Sequence, residues 1–254
     1  TRIVRFTERD GRGTDPTVIV DDIPANHYHA GGSLAFGPDG KLYAGFGDAL
    51  TPDFPRDPSV RAGKILRLEA DGSVPSDGPT AGSPVYARGL RNPQAFVWLS
   101  DGTMLAIDHG PTGLSHEGGH AGRDELNVIR AGGDHGWPLA VGWEHADDLV
   151  SPTWVWNEAI APAGLTLYRG PYAPWQGSLI VGALKGQRLE RIRLERRDST
   201  WVAVAREPIL ERSFGRIRTV TSDLEGNLLV TTSNRDARGT PRPGDDLLLR
   251  VTIP

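Results

Sequence analysis

FGPDGKLYAGFGD, residues 36–48, is a short apolar run, an acidic-glycine turn and a second run rich in Leu, Tyr and Phe. Glycine accepts the positive φ of a tight turn, so an Asp-Gly pair between apolar runs predicts a β-hairpin. The same grammar recurs in WLSDGTMLAIDHG (98–110) and SDLEGNLLVTTSN (222–234), and more loosely in APWQGSLIVGALKG (173–186). The turn glycines Gly40, Gly102, Gly177 and Gly226 are spaced by 62, 75 and 49 residues. Hairpin repeats of that size predict an all-β chain, a β-propeller with insertions.

Further strands fall between the hairpins. The runs at 64–69 and 84–90 complete a first four-stranded blade, those at 126–130 and 152–157 a second, and those at 186–195 and 201–210 a third. Residues 247–253 add a third strand to the last hairpin, and 1–7 and 17–20 read as two strands around the turn-rich DGRGTD (10–15). No long helix is expected. The long connections at 49–63 and 111–123 read as surface loops, and loops of that length in a compact domain are often functional. At this repeat length 254 residues make about four blades, whereas a six-bladed ring needs about 370. The chain is then either part of a longer propeller or a compact five-bladed ring.

Composition agrees and removes several function classes. The 32 glycines and 20 prolines suit many short strands joined by turns, and they lack the period of collagen. A formal charge of −4 gives no reason to expect nucleic acid or an acidic membrane as partner. Cysteine is absent, so thiolate chemistry and a disulfide framework are excluded. No apolar run approaches the roughly 18 residues of a membrane span. The chain opens without a signal-peptide pattern, so any export sequence is expected to have been removed or to lie upstream.

Several residues could carry chemistry. His29 stands at the entry to the first hairpin and Asp48 at its exit. An antiparallel hairpin brings its ends together, so Asp48 can hold one ring nitrogen while the other takes a substrate proton. His27, two residues earlier, competes for that role. Arg91 and Asn92 lie where an outer strand hands over to the next inner strand, a crossing that points at a propeller's central channel. Lys185 in GALKG and Arg216 and Arg218 in GRIRTV add cations at related points of later repeats, and positions 216 and 218 share a strand face. His109, His116, Glu117, His120 and Asp124 cluster in and after the second long loop, readable as a transition-metal site or as a hydrophilic loop.

Five motifs stand in a fixed order: HAGGSLAFGPDGKLYAGFGD (29–48), GLRNPQ (89–94), DHGP (108–111), RDELNVI (123–129) and GGDHGWP (132–138). Their order and spacing resemble the PQQ-dependent aldose sugar dehydrogenases, the soluble quinoprotein glucose dehydrogenase family, over about residues 1–253. The resemblance implies a six-bladed propeller, residues 1–254 being a single domain of about four and a half blades with the N-terminal blade and a half absent. It implies oxidation of the C1 hydroxyl of an aldose to a lactone, with hydride transfer to PQQ. His29 would be the base, Asp48 its partner, and Arg91 would stabilise charge on the quinone oxygen. Arg91, Asn92, Lys185, Arg216 and Arg218 would contact PQQ. The carbonyls of Gly110 and Pro111 would hold a Ca²⁺ against the cofactor, and Glu125 with the His135 carbonyl a second. A sugar and an electron acceptor would be the partners, in a periplasmic or secreted setting. The chain departs from the family pattern at Ser33, where Arg is usual, at Asp108 for Glu, and at His135 for Tyr. Two other classes remain open: a calcium-dependent lactonase-type hydrolase, and a ligand-binding propeller without activity.

Overall fold

The computed structural model describes residues 1–253 except Gly118, His120 and His145, and the backbone alone of His116. Two compact units are distinguished, each with its own strands and core.

The first unit comprises Thr1–Pro93, Arg130–Leu139 and Asp148–Val150. Strands β1 (Ile3–Arg9) and β2 (Arg12–Val20) pair as a two-stranded antiparallel sheet. The sequence suggested a turn over 10–15, but β2 already begins at Arg12. Asp10 and Gly11 take φ +51° and +73°, the two-residue turn whose twist matches that of the flanking strands. Strands β3 (Ser33–Phe36), β4 (Leu42–Phe46), β5 (Lys64–Leu68) and β6 (Val85–Arg88) form a four-stranded sheet in sequential order. Every residue of β4 and β5 is buried, as befits central strands covered on both faces. Leu42, Ala44, Phe46, Leu66 and Leu68 pack with Ile3, Val20 and Ile23, so the β1–β2 hairpin is tied to this sheet by apolar contact.

Lys64 is the exception in that core. It is 1% exposed, and its ammonium donates to the carbonyls of Phe54 (2.6 Å) and Ala62 (3.1 Å). The long loop at 49–63 is thereby pinned to β5 by a buried charge. Burial brings the Lys64 pKa down to about 8.

The second unit comprises Gln94–Ile129, Ala140–Asp147 and Ser151–Pro254. Strands β7 (Pro93–Trp98), β8 (Met104–Asp108), β9 (Asp124–Ile129) and β10 (Trp154–Trp156) form one four-stranded sheet. Strands β11 (Pro162–Leu167), β12 (Leu179–Ala183), β13 (Arg188–Arg197) and β14 (Thr200–Ile209) form the next. Strands β15 (Ile217–Ser222), β16 (Leu228–Thr232) and β17 (Leu248–Val251) make a three-stranded sheet. Sequential antiparallel order is that of propeller blades. The first hairpin of each of the four larger sheets turns at an expected glycine: Gly40, Gly102, Gly177 and Gly226 all have positive φ, between +73° and +86°. Among the described residues helical structure is limited to two short 3-10 turns, Ser115–Glu117 and Ala173–Trp175, and no helix is long and apolar enough to cross a membrane.

Asp124, at the start of β9, ties the loops of the second unit together. Its carboxylate is 2% exposed and accepts from the backbone N–H of Gly110 (2.9 Å), Ile160 (2.7 Å) and Ala161 (2.8 Å). These donors lie at the end of β8 and just before β11, so one side chain satisfies orphan amides from two connections.

Two outcomes follow from these buried charges. Lys64 binds a proton less readily folded than unfolded, so its cost is present below pH 8 and is relieved as pH rises towards 10. The wild type should gain about 2 kcal/mol relative to Lys64→Met between pH 7.5 and 9.5, measured by chemical denaturation. Parallel curves for the two proteins would contradict this. Asp124→Asn places an amide against at least one backbone donor and should cost about 2–3 kcal/mol of unfolding free energy. A loss under about 0.5 kcal/mol would show that these three contacts do not support the fold.

Candidate active site

The first unit brings four of the expected residues together. His29 lies just before β3 with φ +57°, a left-handed conformation that non-glycine residues rarely take. The chain leaving β4 explains how it is held. A Cβ on Gly47 would lie 2.1 Å from the His29 carbonyl oxygen and 2.8 Å from Asn92 Oδ1, so only glycine allows this approach. The His29 carbonyl accepts from Ala49 N–H (3.2 Å), and Asn92 Oδ1 accepts from Gly31 N–H (3.2 Å). The two ends of the hairpin are locked across each other in this way, and Nδ1 of His29 comes to 2.8 Å from Oδ1 of Asp48.

Asp48 is 1% exposed. Oδ1 also accepts from the Leu50 N–H (2.9 Å), and Oδ2 accepts from the indole Nε1–H of Trp137 (2.9 Å). Backbone and indole N–H groups are donors only, so the carboxylate is the acceptor and Nδ1 of a neutral imidazole carries the proton. The lone pair is then on Nε2. Arg91, 2% exposed, sits with its guanidinium carbon 5.5 Å from the centre of the Trp137 ring. Its carbonyl receives the Asp48 N–H (2.8 Å), which ties the two residues through the backbone as well. Competing His27 is exposed. Ser33, where the resembling family carries Arg, has a buried hydroxyl with no hydrogen-bond partner among the described residues.

The remaining expected cofactor contacts fall in the second unit. Arg216 donates to Asp236 from Nε (3.0 Å) and Nη2 (2.9 Å), and Arg218 reaches the same oxygen at 3.6 Å. A register shift between Ile217 and Thr219 interrupts the strand between them, yet both side chains meet one carboxylate. Burial and the neighbouring Arg216 hold the Arg218 pKa below its ordinary value. Two guanidiniums on one carboxylate leave positive charge over, and that donor set fits an anionic, carboxylate-bearing group such as PQQ. Lys185 is exposed and lines a cavity of about 770 Å³ with Trp154, Trp156, Arg206 and Arg212. Three residues of that lining donate to the fully buried Glu190: Trp156 Nε1 (2.7 Å), Arg188 Nε (2.7 Å) and Arg206 Nη1 (3.0 Å).

For calcium, the chemistry of the donors is hard oxygen. Glu125 stands opposite Asp108 across β8 and β9. Burial and that neighbour push its carboxyl up to about 8. Asn127, two residues along the strand, donates to Glu125 (3.1 Å), while its own Oδ1 is buried without a partner among the described residues. Glu125 also accepts from the Gly142 N–H (2.8 Å), and a group so rich in oxygen acceptors fits a hard cation. Pro111 already gives its carbonyl to Gly122 N–H (3.0 Å), and a Cβ on Gly110 would lie 2.0 Å from the Gly122 carbonyl. The glycine at 110 is therefore explained by close backbone packing alone. His135 belongs to the first unit; its ring is buried, neither nitrogen has a partner among the described residues, and burial lowers its pKa to about 4.

The histidine-rich loop has a structural explanation. His109 Nε2 bonds the Pro162 carbonyl (2.8 Å). Glu117 accepts from Thr112 N–H (2.8 Å), Thr112 Oγ1 (2.7 Å) and Leu114 N–H (3.3 Å), which caps its own loop. Asp124 is spent on backbone amides. No group of three His, Asp or Glu side chains placed to hold a metal occurs among the described residues. His120 and the His116 side chain lie outside the described residues. Trp137 and Asp236 went unnoticed in the sequence. GGDHGWP was read only for a carbonyl, and Asp236 sits in a polar loop with no distinguishing neighbour.

Comparisons with known proteins identify the family of the chain. A family model described as glucose/sorbosone dehydrogenase matches residues 1–249. The Synechocystis protein slr1608 is 30% identical over 94% of this chain and 62% of its own length. Aldose sugar dehydrogenase YliI of Escherichia coli is 30% identical over 71% of this chain and 52% of its own. Among solved structures, the PQQ-bound aldose sugar dehydrogenase of Streptomyces coelicolor superposes with a TM-score of 0.86 at 33% identity, over 98% of this chain and 71% of that one. The chain thus spans less than two thirds of these two sequence relatives, and its sheets are those of the sugar dehydrogenase β-propellers. With a match over nearly all its residues, the chain belongs to the glucose/sorbosone dehydrogenase family of oxidoreductases.

Proposed function

We propose that this chain carries the active site of a PQQ-dependent aldose dehydrogenase, which oxidises the C1 hydroxyl of a sugar to the lactone. The observation that supports this most directly is the buried His29–Asp48 pair, with Nδ1 held at 2.8 Å and Nε2 left to act as base. When bound, PQQ supplies an ortho-quinone that accepts the hydride from C1. The protein's part is to take the hydroxyl proton at His29 Nε2 and to keep the imidazole in one tautomer through Asp48. Arg91 offers a buried cation over the Trp137 ring for charge developing on an oxygen nearby. Arg91, Asn92, Lys185, Arg216 and Arg218 are the residues that would hold PQQ. The carbonyls of Gly110 and Pro111 would hold a calcium whose Lewis acidity would polarise the quinone, and Glu125 with the His135 carbonyl would hold a second. An electron acceptor must then regenerate the cofactor, and a periplasmic or secreted location accords with that role.

Mixing the protein with PQQ and Ca²⁺ and then adding an aldose should bleach the quinone absorbance. A protein that leaves the PQQ spectrum unchanged and shows no sugar-dependent reduction would refute the proposal. His29→Ala should lower turnover at least about a hundredfold while PQQ affinity changes little. Near-normal turnover would remove His29 from the mechanism. Arg216→Ala and Arg218→Ala should each weaken PQQ binding about tenfold. The exposed Arg197, paired only loosely with Glu195 at 3.6 Å, is the control. Equal affinity in all three variants would assign the two arginines to a solvated edge.

A further inference from the structure

We propose that Trp137 is the positioning residue of this site, setting both the carboxylate that orients the base and the guanidinium beside it. The inference rests on the reading of His29 as the base. Trp137 is 5% exposed and lies 89 residues from Asp48 in the chain. Its placement is not accidental to the local backbone. His135 N–H donates to the Arg88 carbonyl (2.9 Å) and Trp137 N–H to that of Gly89 (3.0 Å), so the segment runs beside the exit of β6. A Cβ on Gly89 would strike Asp134 Oδ1 at 2.3 Å and Gly136 N at 2.7 Å, which is why that strand end is glycine. Asp134 is clamped in turn by Arg56 (2.5 Å) and Arg88 (3.2 Å). The indole is thus delivered by a braced segment.

Its two faces of action are distinct. The Nε1–H bonds Oδ2 of Asp48, the oxygen that His29 does not use. A carboxylate's terminal torsion is broad, so an Asp held at one oxygen can rock. Holding both oxygens fixes its plane and hence the ring of His29. The indole's aromatic face lies against the Arg91 guanidinium at 5.5 Å, a cation–π contact that restricts its orientation. One side chain therefore couples the acid–base pair to the cation.

The two roles separate by substitution. Trp137→Phe keeps an aromatic face for Arg91 and loses the N–H. Its turnover should fall about tenfold, with PQQ affinity within about twofold of wild type and a melting temperature lowered by only a few degrees. Trp137→Leu removes both functions and should weaken PQQ binding as well. A third measurement needs neither variant to be active. The Trp137 Nε1–H resonance of the cofactor-free protein should move upfield in Asp48→Asn, because a neutral amide is a weaker acceptor. An active wild type with undiminished Trp137→Phe turnover, or an Nε1–H resonance indifferent to Asp48→Asn, overturns the proposal while the assignment of His29 stands. A wild type inert towards PQQ and sugar overturns the function itself, and with it the role of Trp137.

Discussion

The carboxylate of Asp48 is 1% exposed and receives hydrogen bonds from three segments of chain: His29 before β3, Leu50 after β4, and Trp137. An ionised carboxylate buried without partners is too costly to persist, so each donor must arrive for the first unit to close. The same requirement explains features that look unrelated in the chain. Gly47 is glycine because the His29 carbonyl presses on it, and Gly89 is glycine because the segment carrying Trp137 presses on it. The core of β4 and β5 provides the rigid floor from which these loops rise.

Charge compensation also separates scaffold from site in the second unit. Asp124 has three backbone donors, and Glu190 has two guanidiniums and an indole. Both are fully engaged and read as braces between connections. Elsewhere compensation is incomplete. Arg216 and Arg218 meet one carboxylate between them, and Glu125, set opposite Asp108, lies beside an Asn127 oxygen that has no partner among the described residues. A protein that leaves charge of one sign over in a partly buried place has room there for a ligand of the other sign. An anion on the arginines and a hard cation at Glu125 each correspond to a component of the proposed holoenzyme.

Much of this was legible in advance, for identifiable reasons. Each acidic-glycine turn closed the hairpin it announced, because a positive φ admits few residues. The outer strands fell where apolar runs required them. His29 and Asp48 could be paired from 19 residues of separation, since a hairpin fixes the distance between its own ends. Where the reading failed, the contact was remote or the motif ambiguous. The histidine-rich loop was readable as a metal site or as a hydrophilic loop, and its described residues Glu117 and Asp124 serve backbone amides, a use that leaves no trace in residue type. The start of β2 was misplaced by a few residues because Asp10 and Gly11 alone make the turn.

By itself the amino-acid sequence determined the all-β class, the blade-like succession of hairpins, the family and the identity of the candidate base. These depend on local φ preferences, on apolar runs of strand length and on spacings within one hairpin. Only the tertiary structure decided which polar groups are satisfied and which are left over. It alone joined Trp137 to Asp48 and Arg91, and Asp236 to Arg216 and Arg218. The reason is physical: a buried charge is neutralised by whatever donor the packing brings near. That donor can lie 89 residues away in the chain, where neither periodicity nor motif spacing reaches.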